Sequence, residues 1–369
     1  MRESKGKIVA TGGIMGLLAA ILVKFGNPVN MGVCVACFFR DIAGGLGLHR
    51  AQVVQYLRPE IPGFILGSFT IAKAKGEFKP RGGSSPILRF ILGFFLMIGA
   101  LVFLGCPLRM ILRLANGDLN ALTGLAGYVI GIWIGIQFLK RGFTLGRSTT
   151  QPSATGYAMP IFSIGILLLL IAAPTFIYFS ESGPGSMAAP VLLSLGAGLL
   201  IGVLLQRTRL CTAGGFRDAI LIKDFHFLWG LIGIFAFALL GNVIFNFESF
   251  KIGFTDQPIA HTDHIWNLLG MALAGVTAVM LGGCPLRQTI LAGEGDGDAA
   301  ITIMGLIFGA AFAHNFGLAA SAQGVGQNGK IAVIIGFIIV LSIGFSIVAN
   351  VQKQSLGKNS KEKGGLQIG

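Results

Sequence analysis

The five residues Gly105-Cys106-Pro107-Leu108-Arg109 occur again as Gly283-Cys284-Pro285-Leu286-Arg287, each copy at the end of a long apolar run. This repetition constrains the fold more than any other feature of the chain. Proline donates no backbone hydrogen bond and pushes the residue before it out of helical conformation, so the long helix must stop near the cysteine. Proline also suits the first position of a new helix. Each run therefore reads as a membrane helix that breaks and restarts as a short second helix. A second pair accompanies the first. Cys34-Val35-Ala36-Cys37-Phe38-Phe39-Arg40-Asp41 corresponds to Cys211-Thr212-Ala213-Gly214-Gly215-Phe216-Arg217-Asp218. The separations are 177 residues (34 to 211) and 178 residues (106 to 284). Four of the five cysteines thus stand at matching places in two halves of one chain.

Composition makes the membrane reading firm. Of 369 residues, 53% are hydrophobic and 12% charged, with mean hydropathy +0.78; a soluble domain carries about a quarter charged residues. Glycine is abundant, at 56 residues. The four-residue spacings Gly127/Gly131/Gly135, Gly198/Gly202 and Gly305/Gly309 suit close helix packing in lipid. The net charge of +13 does not indicate nucleic acid, because the Lys and Arg lie mostly between apolar runs. The basic start is read as the flank of a retained first helix rather than a cleaved leader.

A span needs about 20 mostly apolar residues. Ten candidates result: 8–24, 53–72, 88–105, 120–139, 159–179, 187–206, 226–246, 264–282, 298–317 and 331–350. Four shorter segments, 30–48, 106–118, 211–224 and 284–296, open close to a cysteine. Backbone that stops partway through a bilayer is tolerated only where protein or a watery cavity covers it. The fold class expected is an all-α polytopic membrane protein, with ten transmembrane helices, four re-entrant segments and lipid around them. Lys73, Lys75, Lys79, Arg81 and Arg89 share one loop, Lys140, Arg141 and Arg147 another, and Lys353, Lys358, Lys361 and Lys363 the tail. The loops 180–186 and 247–263 are acidic. Both termini are therefore expected in the cytoplasm. The first repeat is 8–139 and the second 187–317, joined by a linker, 140–186, that holds a connecting helix. An extra helix, 331–350, and a basic cytoplasmic tail, 351–369, follow. The first helices of the two repeats are the first and the sixth of these spans, an odd step of five, so the halves are expected to be inverted in the membrane.

The chemistry follows from the breaks. A helix start offers free N–H groups and partial positive charge, which favours an anion and favours thiolate over thiol. Arg109 and Arg287 add a cation three residues on, and an ionisable residue at membrane depth is a functional candidate. A single buried cysteine is usually a small hydrophobe; four at repeat-matched breaks argue for a substrate pathway. Arg40-Asp41 and Arg217-Asp218 read as structural or charge-compensating ion pairs that hold the short helices. Cys37 faces Gly214 in the comparison of halves, and Cys34-x-x-Cys37 could be a disulfide, a sulfur-relaying pair or a metal site. One Cys-x-x-Cys without a second pair or a nearby His is a weak zinc signal, so no metal and no cofactor is expected. Asn116-Gly117-Asp118 and Glu294-Gly295-Asp296 read as helix ends at a solvated rim. The five histidines show no ligand spacing, and only His314, late in a span, stands out.

At these residues the chain resembles the YeeE/YedE family of sulfur-compound transporters, and most closely its selenium-transporter branch. The resemblance rests on the two Gly-Cys-Pro-Leu-Arg segments and on Leu210-Cys211-Thr212-Ala213-Gly214-Gly215-Phe216-Arg217-Asp218. It implies an inverted-repeat helical fold with an hourglass pathway and cysteines along its waist. It implies passage of thiosulfate by successive thiol–sulfur hydrogen bonds at three essential cysteines, for which Cys34, Cys106 and Cys284 are the candidates; Cys211 fits the repeat equally well. It also implies handover to a small cytosolic sulfur-carrier protein. The expectation is an inner-membrane permease, not an enzyme, for a small selenium- or sulfur-containing anion. The alternative is a membrane transferase that relays the atom covalently.

Overall fold

The computed structural model describes residues 4–365. In chain order it contains α1 (Lys5–Lys24), α2 (Val35–Gly45), α3 (Glu60–Ala74), β1 (Arg81–Gly82), α4 (Pro86–Val102), α5 (Pro107–Ala115) and α6 (Asn120–Lys140). There follow β2 (Thr149–Thr150), α7 (Ser153–Gly156), α8 (Ala158–Ala172), α9 (Val191–Thr208), α10 (Thr212–Leu221) and α11 (His226–Phe245). The chain ends with α12 (His264–Met280), α13 (Pro285–Gly293), α14 (Gly297–Asn315) and α15 (Gln327–Gly365). The fold is an all-helical, multi-pass membrane architecture; β1 and β2 form only a two-residue antiparallel pair between loops.

Among the described residues eight helical stretches are long and apolar enough to cross a membrane, against the ten spans expected. The two that fall short are α3 and α8, at 15 residues each, or roughly 22 Å at 1.5 Å per residue. The span expected at 53–72 starts only at Glu60, because Pro59 stands at its N-cap and residues 53–59 run as loop. The one expected at 159–179 stops at Ala172, where Ala173 turns into left-handed conformation. The tail assigned to 351–369 is not a separate segment, since α15 carries on to Gly365. Residues 366–369 of that tail, and the side chains of Lys358, Lys361 and Lys363, lie outside the described residues.

Helix packing carries an internal symmetry. The closest pairs are α1 with α11, α3 with α9, α6 with α12 and α4 with α14, and α4 also packs on α12. Exchange α1–α6 for α9–α14 in order, and the first four pairings become one another while α4 with α12 returns itself. Glycine makes the approaches possible. A methyl group at Gly127 would stand 2.0 Å from the Leu268 carbonyl oxygen, and one at Gly131 2.0 Å from that of Ala272. Contacts this short show helices packed backbone to backbone, as packing in lipid favours. Gly198, Gly202, Gly305 and Gly309, singled out by spacing, meet neighbouring backbone in the same way.

The loops gather at two rims. At one, Tyr178 N–H bonds the Gly45 carbonyl, Gly253 N–H that of Gly117, and Ala320 N–H that of Leu101. At the other, Lys79 N–H bonds the Glu294 carbonyl, Gln151 N–H that of Pro80, and Ser85 N–H that of Leu145. The second rim carries the Lys- and Arg-rich loops. Between the rims, the short helices α2, α5 and α13 are almost wholly buried, and α10 is buried over its first turn.

Candidate functional site

Each short helix begins on a cysteine. Cys34, Cys106, Cys211 and Cys284 are the N-cap residues of α2, α5, α10 and α13. Local chemistry explains the two Cys-Pro breaks. Gly105 N–H bonds the Ala100 carbonyl at 2.7 Å and Gly283 N–H that of Ala278 at 2.8 Å, with Leu104 and Gly282 in left-handed conformation at φ 63° and 81°. These are matching Schellman ends, which satisfy the last carbonyls of a helix. The cysteine then takes extended backbone, ψ 171° and 170°, and Pro107 or Pro285 opens the new helix. Glycine meets the left-handed requirement without strain, whereas Leu104 is held there against its preference.

The breaks bring the sulfurs together in two pairs. Cys34 Sγ lies 3.7 Å from Cys106 Sγ, and Cys211 Sγ 3.6 Å from Cys284 Sγ. All five cysteines are buried free thiols. Cys37 N–H points at Cys34 Sγ at 3.4 Å. Backbone N–H groups of Ala36 and Arg109 are directed at Cys106 Sγ, and those of Thr212 and Arg287 at Cys284 Sγ. Each pair therefore sits where two helix starts cross, with unspent donors and partial positive charge around it. The Cys34-x-x-Cys37 disulfide considered from sequence is not formed: Cys34 faces Cys106, and Cys37 Sγ instead accepts from Arg109 Nη1 at 3.4 Å. Among the described residues no group of three metal-ligating side chains occurs.

The matched charges behave differently in the two halves. Arg109 is fully buried and clasps three loops, donating to the carbonyls of Asn30 (2.7 Å), Ile259 (3.0 Å) and Leu104. Arg287 instead pairs with Glu294 at 3.3 Å; the matching place in the first half is the neutral Asn116. Arg40–Asp41 and Arg217–Asp218 are ion pairs at 2.7 and 2.8 Å, as their spacing suggests. The first is buried, and Arg58 joins it at 2.7 Å from Asp41. A further buried pair, at 2.6 Å, joins Arg113 of the Cys106 helix to Asp118 just beyond its end. Asp118 therefore does not meet solvent, contrary to the solvated rim expected for it. Gly117 and Gly295, at φ 88° and 93°, do end the helices as read.

Sequence reasoning missed three features. The ion-pair roles of Arg58 and Arg113 were not legible because their partners are set by packing. His49 and His314 lie 4.7 Å apart, ring centre to ring centre, although 265 positions separate 49 from 314. Two loop histidines share one device: Nε2 of His49 meets the Arg40 carbonyl at 3.0 Å and Nε2 of His261 that of Val102 at 2.8 Å. Their Nδ1 atoms accept N–H from Ala51 and Asp263, which pins the neutral tautomer. Burial pushes both imidazoles below their ordinary pKa. The third is Tyr128 of α6, fully buried, its ring edge-on to Phe216 of α10 at 6.0 Å. Its hydroxyl lies among Thr212, Cys284, Cys211 and Cys106.

Comparison with known proteins finds similarity to sulfur transport proteins over part of the chain. Residues 207–362 match the family described as Sulphur transport, a stretch that runs from the end of α9 through α15 and includes Cys211 and Cys284. The thiosulfate transporter TsuA of Spirochaeta thermophila is 34% identical over 98 residues, 27% of this chain and 28% of its own length. The thiosulfate transporter TsuA of Escherichia coli is 27% identical over 117 residues, 30% of each chain. The matched stretch thus spans less than a third of either relative. Over residues 207–362, which hold the second pair of cysteine-capped breaks, the chain is similar to the family described as Sulphur transport.

Proposed function

We propose that the protein is a permease of the cell inner membrane for a small sulfur- or selenium-containing anion, thiosulfate-like in chemistry, passed from one thiol pair to the other. The observation that carries this reading is the meeting of four cysteine-capped helix starts as two close thiol pairs. An anion taken from water into a low-dielectric interior must exchange its hydration for other donors. Helix starts supply them without a fixed countercharge, and thiols offer a soft, weakly held donor to a sulfur or selenium end. Residues 8–139 and 187–317 act as inverted repeats, the exchangeable helix pairings supporting that reading. The basic loops at one rim argue that this rim, with both termini, faces the cytoplasm. The names of the two relatives support an anion of the thiosulfate kind.

The test is uptake of labelled thiosulfate, and in parallel of selenite, into liposomes that hold only this protein. Cys106→Ala and Cys284→Ala should each abolish uptake of the transported anion while the protein inserts normally. Unchanged uptake in both variants would refute the pathway. A covalent adduct on a cysteine, with no anion inside the vesicle, would turn the reading to transfer onto a cytosolic sulfur carrier.

A further inference from the structure

We propose that the hydroxyls of Tyr128 and Thr212 bind the oxygens of the transported anion, so that the site selects an oxyanion ending in a soft chalcogen. This rests on the permease reading and names its substrate class. Both side chains are buried, at 0% and 1% exposure, and neither hydroxyl makes a well-formed hydrogen bond, although that of Thr212 lies close to Tyr128 and to Cys284. Buried hydroxyls almost always have such a bond. Here two buried hydroxyls without a well-formed bond lie in one place, beside the Cys211/Cys284 pair. They come from different elements. Tyr128 lies in the middle of α6, and Thr212 is the first residue of α10. Their convergence is therefore a product of packing and not of one loop's local geometry.

The thiols do not remove the need for a better partner, because sulfur accepts a hydrogen bond weakly. An oxyanion would satisfy both hydroxyls at once, and such charge-assisted bonds are the stronger kind. The two donors are also one-sided. At the matching places of the other half stand Leu306 and Val35, which offer no donor. The Cys34/Cys106 pair therefore has thiols and helix starts, while the Cys211/Cys284 pair has these and two hydroxyls. An anion with chemically different ends fits this arrangement. Its oxygens face Tyr128 and Thr212, and its sulfur or selenium faces the thiols. An oxygen-free anion such as hydrosulfide could use only the thiols. A site built to hydrogen-bond an oxygen discriminates strongly against a ligand without one, since its donors are then left unmet.

The experiment uses the full chain in liposomes, as wild type, Tyr128→Phe, Thr212→Val and the double variant. Tyr128→Phe keeps the ring against Phe216, so folding should survive; thermal unfolding in detergent checks this. Labelled thiosulfate uptake is measured against concentration, with unlabelled hydrosulfide as competitor. In each single variant the half-saturating thiosulfate concentration should rise at least tenfold, with the maximal rate within about threefold of wild type. The inhibition constant of hydrosulfide should stay within twofold. A wild-type half-saturation in both single variants would overturn the assignment and leave the permease standing. A loss of maximal rate with unchanged half-saturation would also overturn it, because that marks a structural role. Wild-type vesicles that take up no thiosulfate would overturn the permease reading and this assignment with it.

Discussion

Replacing Asp118 by Ala should cost the fold several kilocalories, whereas the same change at Asp218 should cost little. Arg113 and Asp118 are both fully buried, with Nε to Oδ2 at 2.6 Å. Arg113 also donates to the Phe103 carbonyl at 2.7 Å and stands over the Phe103 ring at 4.3 Å. Its Nη2 has no partner. Asp118 in turn accepts from the backbone and side chain of Asn120, at 3.0 and 2.9 Å. Removing the carboxylate strands a guanidinium in the interior, which costs about 3–5 kcal/mol. Arg217 and Asp218 are paired at 2.8 Å but remain 28% and 15% exposed. Water can replace that partner, so the loss there should be below about 1 kcal/mol. Equilibrium unfolding in mixed micelles, followed by circular dichroism, gives both differences from one series. The double change Arg113→Met with Asp118→Leu should recover most of the stability lost by Asp118→Ala, since apolar replacement of both partners removes the stranded charge. Equal small losses at Asp118 and Asp218 would refute the argument that burial decides between them.

Three further outcomes follow from the same geometry. Gly131→Ala should lower the unfolding temperature in detergent, because the added carbon would stand 2.0 Å from the Ala272 carbonyl oxygen, while Gly165→Ala, with nothing within 4 Å, should not. Stability should fall on acidification. His261 is held neutral by the bonds to Val102 and Asp263, and its pKa is lowered by burial. Its contribution is therefore complete above the unfolded value of about 6.5 and is lost as pH drops through the lowered value. His261→Gln should flatten that part of a thermal-unfolding profile taken from pH 7.5 to pH 4.5, and a profile of wild-type steepness would exclude His261 as the cause. Mild oxidation with a copper catalyst and oxygen should join Cys34 to Cys106 and Cys211 to Cys284, each pair giving up two protons and two electrons to the oxidant. Peptide mapping that found Cys34 joined to Cys37 would contradict the pairing.

Much of the candidate site was legible before any tertiary contact was known. The cysteine-proline breaks, the four short helices and the adjacent Arg-Asp pairs rest on rules that act within a few residues. Pro107 and Pro285 must stop one helix and can start another wherever they stand. The glycine rows were legible for a similar reason, since a four-residue spacing keeps small residues on one helix face. The shortfalls at α3 and α8 lie where two local signals conflict. An apolar run argues for a span, but Pro59 and the left-handed turn at Ala173 cut it to 15 residues.

Taken alone, then, the sequence determined the membrane class, the twofold repetition and the four cysteine-capped helix starts, because hydropathy, proline and glycine act locally. Partnership was decided only by the tertiary structure. Cys34 meets Cys106 across 72 positions and Cys211 meets Cys284 across 73, while Cys37, three residues away, turns to Arg109. Tyr128, from the first half of the chain, meets Phe216 on the helix that Cys211 caps, and His314 reaches His49 from the far end. Such contacts depend on which helix faces pack together and how closely, and glycine-lined seams between α6 and α12 and between α3 and α9 set that distance. No spacing rule along one chain carries that information, because the residues concerned become neighbours only when the two halves close on each other.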